Sequence, residues 1–225
     1  MMAEKLVIFG VGETAHLAYE YFTHDSSYEV SAFAVDVDYL KDNEFCGLPV
    51  VDISSVNQKF PSEMYKGFVA FSSGKLNRNR INMVSRAEAL GYELVSYISS
   101  KAFVWHNVEI GGNCFILENN TLQPFTKIGK NVVLWSGNHI GHRSVIHDNC
   151  FISSHCVISG FCEIGDSTFL GVNCTIEDGV VIAADNFIGS GAIIRKNSDE
   201  KDFYQENQTK KSVVNTYRLF KIKEN

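Results

Sequence analysis

Residues 140–173 read IGHRSVIHDNCFISSHCVISGFCEIGDSTFLGVN, and isoleucine or leucine recurs there at every sixth place. The same beat runs on in both directions. Ile or Leu stands at 110, 116, 122, 128, 134, 140, 146, 152, 158, 164, 170, 176, 182, 188 and 194, with Val104 just before. On an α-helix six residues advance about 600°, or about 240° net, which would scatter these side chains around the axis. In extended chain six is a multiple of two, so all of them face the same way. Hexapeptide repetition of this kind predicts a parallel β-helix, a prism with three hexads, or about 18 residues, per coil.

Two positions before each Ile or Leu, a second side chain must also enter the narrow interior. Cys114, Cys150, Cys156, Cys162 and Cys174 all stand in that phase. They read as small buried core residues, not as a metal cluster or a disulfide ladder. The residue directly before each Ile or Leu faces out. On every third hexad it falls on one wall, which collects Phe115, Val133, Phe151, Phe169 and Phe187. Such a stripe must be covered, and its length points to a subunit interface rather than to cover by the rest of the chain.

Four of the seven histidines lie within residues 138–160. His139 takes the outward phase of the next wall. His142 falls at the corner after that wall, between Pro124 and Gly160 of neighbouring coils. His155 belongs to a different edge, beside Gly137 and Asn173, and His147 occupies an ordinary turn position. None points inward. One chain cannot gather His142 and His155, so a site using both needs two subunits.

Upstream the pattern changes. KLVIFG (5–10) is an apolar strand that runs through Gly10-Val11-Gly12 into the helical stretch ETAHLAYEYF. YEVSAFAVD makes a second strand ending at Asp36, and GFVAFSS (67–73) a third. NRNRINMVSRAEALG reads as an amphipathic helix closed by Gly91, and YELVSYIS as a further strand. Ala15 replaces the third glycine of a dinucleotide-type turn, and such turns serve tight packing as well as nucleotide binding. The expected organisation is an α/β Rossmann-like domain over residues 1–97, an all-β parallel β-helix over 98–197 and a tail over 198–225. A net charge of −6 and a pI near 5.6 argue against a nucleic-acid binder. The N-terminal apolar run is too short for a signal peptide or membrane span, so a cytoplasmic protein with reduced cysteines and no membrane partner is expected.

With these features together, the chain resembles the bacterial nucleotide-sugar acetyltransferases grouped with sialic acid O-acetyltransferases. The resemblance covers residues 5 to about 200 and is most specific over 140–173. It implies a left-handed prism, a homotrimer, and acetyl-CoA bound as co-substrate between adjacent prisms, with no metal. It further implies that the N-terminal domain holds a UDP- or dTDP-linked amino sugar destined for surface glycans. Carried over position by position, the general base falls on His142, with His139 and His155 as possible substitutes. Acetyl-CoA contacts fall on Phe151, Gly160, Val172 and Ser190. Nucleotide contacts fall on Gly10, Gly12, Glu13, Thr14, Asp36 and Val37. Three departures stand out: Arg143 replaces an acidic residue after the base, Phe151 replaces a second histidine, and the usual C-terminal Gly-x-Pro-Ala-Lys segment is missing. Lys210 and Lys211 of the tail are placed to meet phosphates or to remain solvated.

Other readings stay open at this point. O-transfer to a sugar hydroxyl uses the same machinery. A non-catalytic nucleotide-sugar scaffold would need only the cleft and the prism. A zinc enzyme of the γ-carbonic-anhydrase kind would use His106, His142 and His147 across two subunits.

Overall fold

The structure, a computed structural model, describes residues 3–206 and 209–223; residues 1–2 of the N-terminal domain and 207–208 and 224–225 of the tail lie outside them. Strand β1 (Glu4–Phe9) sends Leu6 and Ile8 to one side and Val7 and Phe9 to the other, all fully buried. A strand apolar on both sides belongs in the middle of a covered parallel sheet. Helix α1 (Glu13–His24) lays Ala15, Ala18 and Phe22 on the Leu6 face. β2 (Tyr28–Val35) pairs in parallel with β1, and β3 (Glu44–Phe45) with β4 (Leu48–Asp52) forms an antiparallel hairpin at the sheet edge. A single turn, α2 (Val56–Lys59), leads to β5 (Tyr65–Val69), which completes the order β3-β4-β2-β1-β5. Helix α3 (Arg78–Ala89) covers the Val7 and Phe9 face with Met83 and Ala87.

Two details differ from the sequence reading. The edge hairpin was not anticipated, because Pro49 and the polar run around Asn43 mask its short strands. YELVSYIS does not join this sheet as a strand. Leu94 makes one bridge to Gly67, and Tyr97–Ile98 instead pairs with Phe115–Ile116 as the first rung of the prism.

The prism has three parallel walls of two-residue strands. Wall 1 climbs from Tyr97–Ile98 to Phe203–Tyr204, wall 2 from Phe103–Val104 to Ile193–Ile194, and wall 3 from Glu109–Ile110 to Val181–Ile182. Partners are one coil apart, as Val133 with Phe151 and His139 with Val157. Ile116, Leu122, Ile140, Ile152, Ile164 and their equivalents stack inside at or near zero exposure. The five phased cysteines are buried and free. Burial pushes the Cys114 thiol up to about 11 and that of Cys150 up to about 12.

The phenylalanine stripe on wall 1 is covered by the chain's own α/β domain, not by another subunit, over its first three members. Phe115, Val133 and Phe151 share one core with Phe22, Phe68 and Tyr97. Phe151 is 8% exposed, so it is not free to touch acetyl-CoA. Periodicity fixed which way these side chains point but carried no information about what lies over them. Above them, the rings of Phe151, Phe169 and Phe187 stack at 5.4 and 4.8 Å, and Phe203 closes the column edge-on. Walls 2 and 3 are left bare; wall 2 carries the exposed apolar residues Phe103, Val157 and Ile193, with Trp105 just past its first strand and Thr121, His139 and Thr175 between them.

Polar bolts join the two parts. Arg80 on α3 is 1% exposed and donates to Asn131 Oδ1 and to the carbonyls of Asn131, Asn149 and Cys150, at 3.0–3.1 Å. Burial pulls its pKa down to about 10. Asn113, Asn131 and Asn149 form a ladder up the prism corner, and Asn113 reaches across to the β5 backbone at Val69. Asp25, just past α1, accepts from the Ser100 N–H at 2.9 Å and the Tyr97 hydroxyl at 2.7 Å. No helix among the described residues is long and apolar enough to cross a membrane. The tail carries one short exposed turn, α4 (Thr216–Leu219).

Candidate active site

The first feature is a cleft of about 590 Å³ at the carboxyl ends of β1, β2 and β5. Gly10, Gly12, Glu13, Thr14 and Asp36 line it. Gly10 has φ of +128°, and a Cβ there would lie 2.8 Å from the Ala70 carbonyl oxygen, so the turn demands glycine. Gly12 opens α1 without a capping side chain. The N–H groups of Glu13 and Thr14 therefore open onto the cleft without partners among the described residues, while that of Ala15 is taken by the Gly12 carbonyl, an arrangement suited to phosphate. Val37 does not line the cleft. It begins a 3-10 turn, is 64% exposed, and its neighbour Tyr39 points in instead.

Asp36 is not alone. Arg86 on α3 grips it with both guanidinium nitrogens, Nη1 to Oδ2 at 2.9 Å and Nη2 to Oδ1. Hydrogen bonds from that guanidinium hold the Asp36 carboxyl below its ordinary range. The far side of the cleft was missed in the sequence: Phe71, Ser72, Lys75, Asn79, Asn82 and Arg86. The signal was present in SSGKLNRN, but its meaning depends on backbone shape. Lys75, Leu76 and Asn77 are three successive left-handed residues, at φ of 53°, 48° and 66°. Each costs about 1–2 kcal/mol relative to ordinary backbone. The buried Asn77 amide holds the turn by donating to the Ser167 carbonyl of the prism at 3.2 Å, and Arg78 pairs with Asp185 beside it.

The second feature is the corner between walls 2 and 3. Pro124, His142, Gly160 and Asp178 stack there one above another, a coil apart, and the imidazole of His142 is exposed. Its backbone N–H donates to Gln123 Oε1 at 2.9 Å, and its ring meets the edge of Phe161 at a centroid distance of 4.9 Å. Neither ring nitrogen is hydrogen-bonded among the described residues. A Cβ on Gly160 would stand 2.6 Å from Cε1 and 2.9 Å from Nδ1 of this ring, so the absence of a side chain makes the room. The Gly160 N–H beside it donates to nothing among the described residues.

The other expected residues divide by edge. His155 lies at the corner between walls 1 and 2, its ring over Gly137, with Val172 and Ser190 exposed one and two coils higher on that edge. His139 sits half-buried on wall 2, between the two corners. The structure therefore joins His142 with Gly160 and places His155 with Val172 and Ser190, on separate edges of one prism. His147 spends Nε2 on Glu163 at 2.7 Å, and His106 lies beside the Trp105 ring. No three His, Cys, Asp or Glu side chains form a metal-sized group among the described residues.

The family described as bacterial transferase hexapeptide (six repeats) matches residues 125–160 and 161–196. The acetyltransferase domain of PglB from Neisseria gonorrhoeae is similar at 21% identity and a TM-score of 0.81, over 92% of this chain and 98% of that one. The same domain in complex with acetyl coenzyme A gives 20% and 0.80, over 92% and 98%. Perosamine N-acetyltransferase from Caulobacter crescentus, solved as a mutant with CoA and GDP-perosamine, gives 22% and 0.79, over 90% and 93%. An α/β domain joined to a left-handed parallel β-helix of hexapeptide repeats is thus the fold this chain has in common with those acetyltransferases.

Proposed function

We propose that the chain is an acyltransferase that moves an acetyl group from acetyl-CoA to the amine of a UDP- or dTDP-linked amino deoxysugar. One observation carries this reading: an exposed histidine with free ring nitrogens stands against a glycine whose N–H is unpaired. That is a base and an oxyanion donor within a few ångströms of each other, the minimum for acyl transfer. The 590 Å³ cleft supports the sugar-nucleotide half, with helix N–H groups and Lys75 for phosphate and the Asp36–Arg86 pair near the nucleoside. The acetyltransferases of the same fold, which were solved with CoA, acetyl-CoA or GDP-perosamine, support the donor and the substrate class.

In this reading His142 removes a proton from the sugar amine as its nitrogen bonds to the thioester carbonyl carbon. The Gly160 N–H faces the oxygen that gains charge. As the carbon–sulfur bond breaks, the His142 imidazolium returns the proton and coenzyme A leaves as thiol. The reading takes the protein as a homotrimer, which the two separate edges support. Wall 2 exposes Phe103, Val157 and Ile193, and packing it against a second prism would bring the His155, Val172 and Ser190 edge of one copy toward the His142 edge of the next. Reduced buried cysteines fit a cytoplasmic setting.

The test is thiol release from acetyl-CoA with a panel of UDP-, dTDP- and GDP-linked amino sugars and hydroxyl-only controls. Release with one amino sugar, reduced about 10²- to 10⁴-fold in His142→Ala, is the expected result. Release with hydroxyl sugars alone would replace N- by O-transfer, and silence throughout would leave a binding scaffold.

A further inference from the structure

The residue after the base, Arg143, cannot orient it. Its guanidinium lies 4.5 Å over the Phe125 ring, on the coil below. The carboxylate that approaches His142 comes from a different place. Asp178 stands two coils above His142 in the same corner column, with only Gly160 between them. The point that a Gly160 Cβ would occupy is 2.9 Å from His142 Nδ1 and 3.0 Å from Asp178 Oδ1. Both side chains thus reach into one notch left by the glycine, at a separation that one bridging water or a small side-chain rotation spans.

The surroundings leave this pairing open. Phe161 presents a ring edge to His142, and the side-chain oxygen of Gln123 is taken by the backbone N–H of His142. Glu177, beside Asp178, lies 3.7 Å from Arg195. The Asp178 carboxylate itself makes no hydrogen bond or ion pair among the described residues. A free carboxylate aimed into the notch that holds an imidazole Nδ1 is the arrangement that fixes a histidine's tautomer.

We infer that Asp178 is the positioning residue of His142, accepting from Nδ1–H across Gly160 so that Nε2 presents the lone pair to the substrate. The inference rests on the acetyltransferase reading for its role, while the coupling of the two residues stands by itself. It replaces a sequence neighbour with a partner 36 positions away, brought to the base by the coil repeat.

Two measurements on the full chain decide it. Histidine-selective ¹⁵N labelling, with the His142 signals assigned by their loss in His142→Gln, reports the tautomer directly. The wild type should show Nδ1–H in excess, Asp178→Asn a mixed population, and Asp178→Glu a return toward wild type. Tautomer signals unchanged in Asp178→Asn overturn the inference, and they do so even if no sugar is ever acetylated. In turnover, Asp178→Asn should lower kcat about 10- to 100-fold, less than loss of the base itself, with the KM for acetyl-CoA within about twofold of wild type. Asp178→Glu should recover most of kcat. A raised KM for acetyl-CoA with kcat unchanged would make Asp178 a donor contact and overturn the positioning role.

Discussion

At Gly160 the difference between a hydrogen and a methyl group decides whether His142 keeps its place. An added Cβ would collide with the tip of the imidazole, not with backbone, and the glycine's φ is not in the left-handed region. The fold can accommodate Gly160→Ala, but the ring cannot stay. The variant should therefore melt within about 4 °C of wild type, which for a chain this size is about 1 kcal/mol, while thiol release falls at least tenfold. A loss of melting temperature matching the loss of activity would refute this division. The geometry of this corner was legible in the sequence, since the six-residue beat placed His142 outward and beside Gly160. Phe151 and Val37 were misplaced for physical reasons. A repeat gives the direction of a side chain but not its cover, and a 3-10 turn reorients two residues without any change in composition.

Helix α3 and the first prism coils show how elements are held to each other. Arg80 places a full guanidinium where no carboxylate meets it, and carbonyls with the asparagine ladder take the hydrogens. Removing it leaves the Asn131 and Asn149 carbonyls without a donor among the described residues, while Asn131 Oδ1 keeps Asn113 and the Cys150 carbonyl keeps the Val133 N–H. Arg80→Met should cost about 2–4 kcal/mol in urea unfolding, since each buried acceptor left unsatisfied costs about 1–3 kcal/mol. Asp25 performs a related task at the exit of α1. Hydrogen bonds from Ser100 and Tyr97 hold its carboxyl down to about 2, from an ordinary 3.8. A depressed folded-state pKa stabilises above the unfolded value and ceases to do so as pH falls through the folded one. The junction should thus weaken between about pH 4 and pH 2, and Asp25→Asn should flatten that part of a melting-temperature profile against pH. Both helices were legible in the sequence, α1 as the helical stretch after the Gly10-Val11-Gly12 turn and α3 from its amphipathic spacing. It could not find the bolts, because a polar residue on an amphipathic helix looks solvated until its neighbour is known.

For the molecule as a whole, the surface that bears on assembly is wall 2. Phe103, Trp105, Val157 and Ile193 expose an apolar face along the prism, with His139 among them. Under the trimer reading, Ile193→Glu, at 61% exposure in this chain, places a charge in the shared face. It should shift light-scattering mass from three copies toward one and lower transferase activity in step, with the single-chain melt largely unchanged. A trimer that survives this change together with Val157→Glu would place the interface elsewhere. The sequence reading put a subunit face on the phenylalanine wall, which the α/β domain covers instead, since six-residue phasing treats three walls alike. Only the position of the α/β domain distinguishes them.

The shared use of α3 has a consequence for how such proteins can be re-engineered. Asn79, Asn82 and Arg86 face the cleft at the carboxyl ends of β1, β2 and β5, while Arg80, one residue from Asn79, is anchored in the prism. The exchangeable module is therefore not the N-terminal domain cut at its sheet. A chimera that imports a new sugar specificity must bring the helix together with the prism corner it grips, including Asn113, Asn131 and Asn149. Cut anywhere else, recognition and catalysis would come from two frames that no longer share an origin.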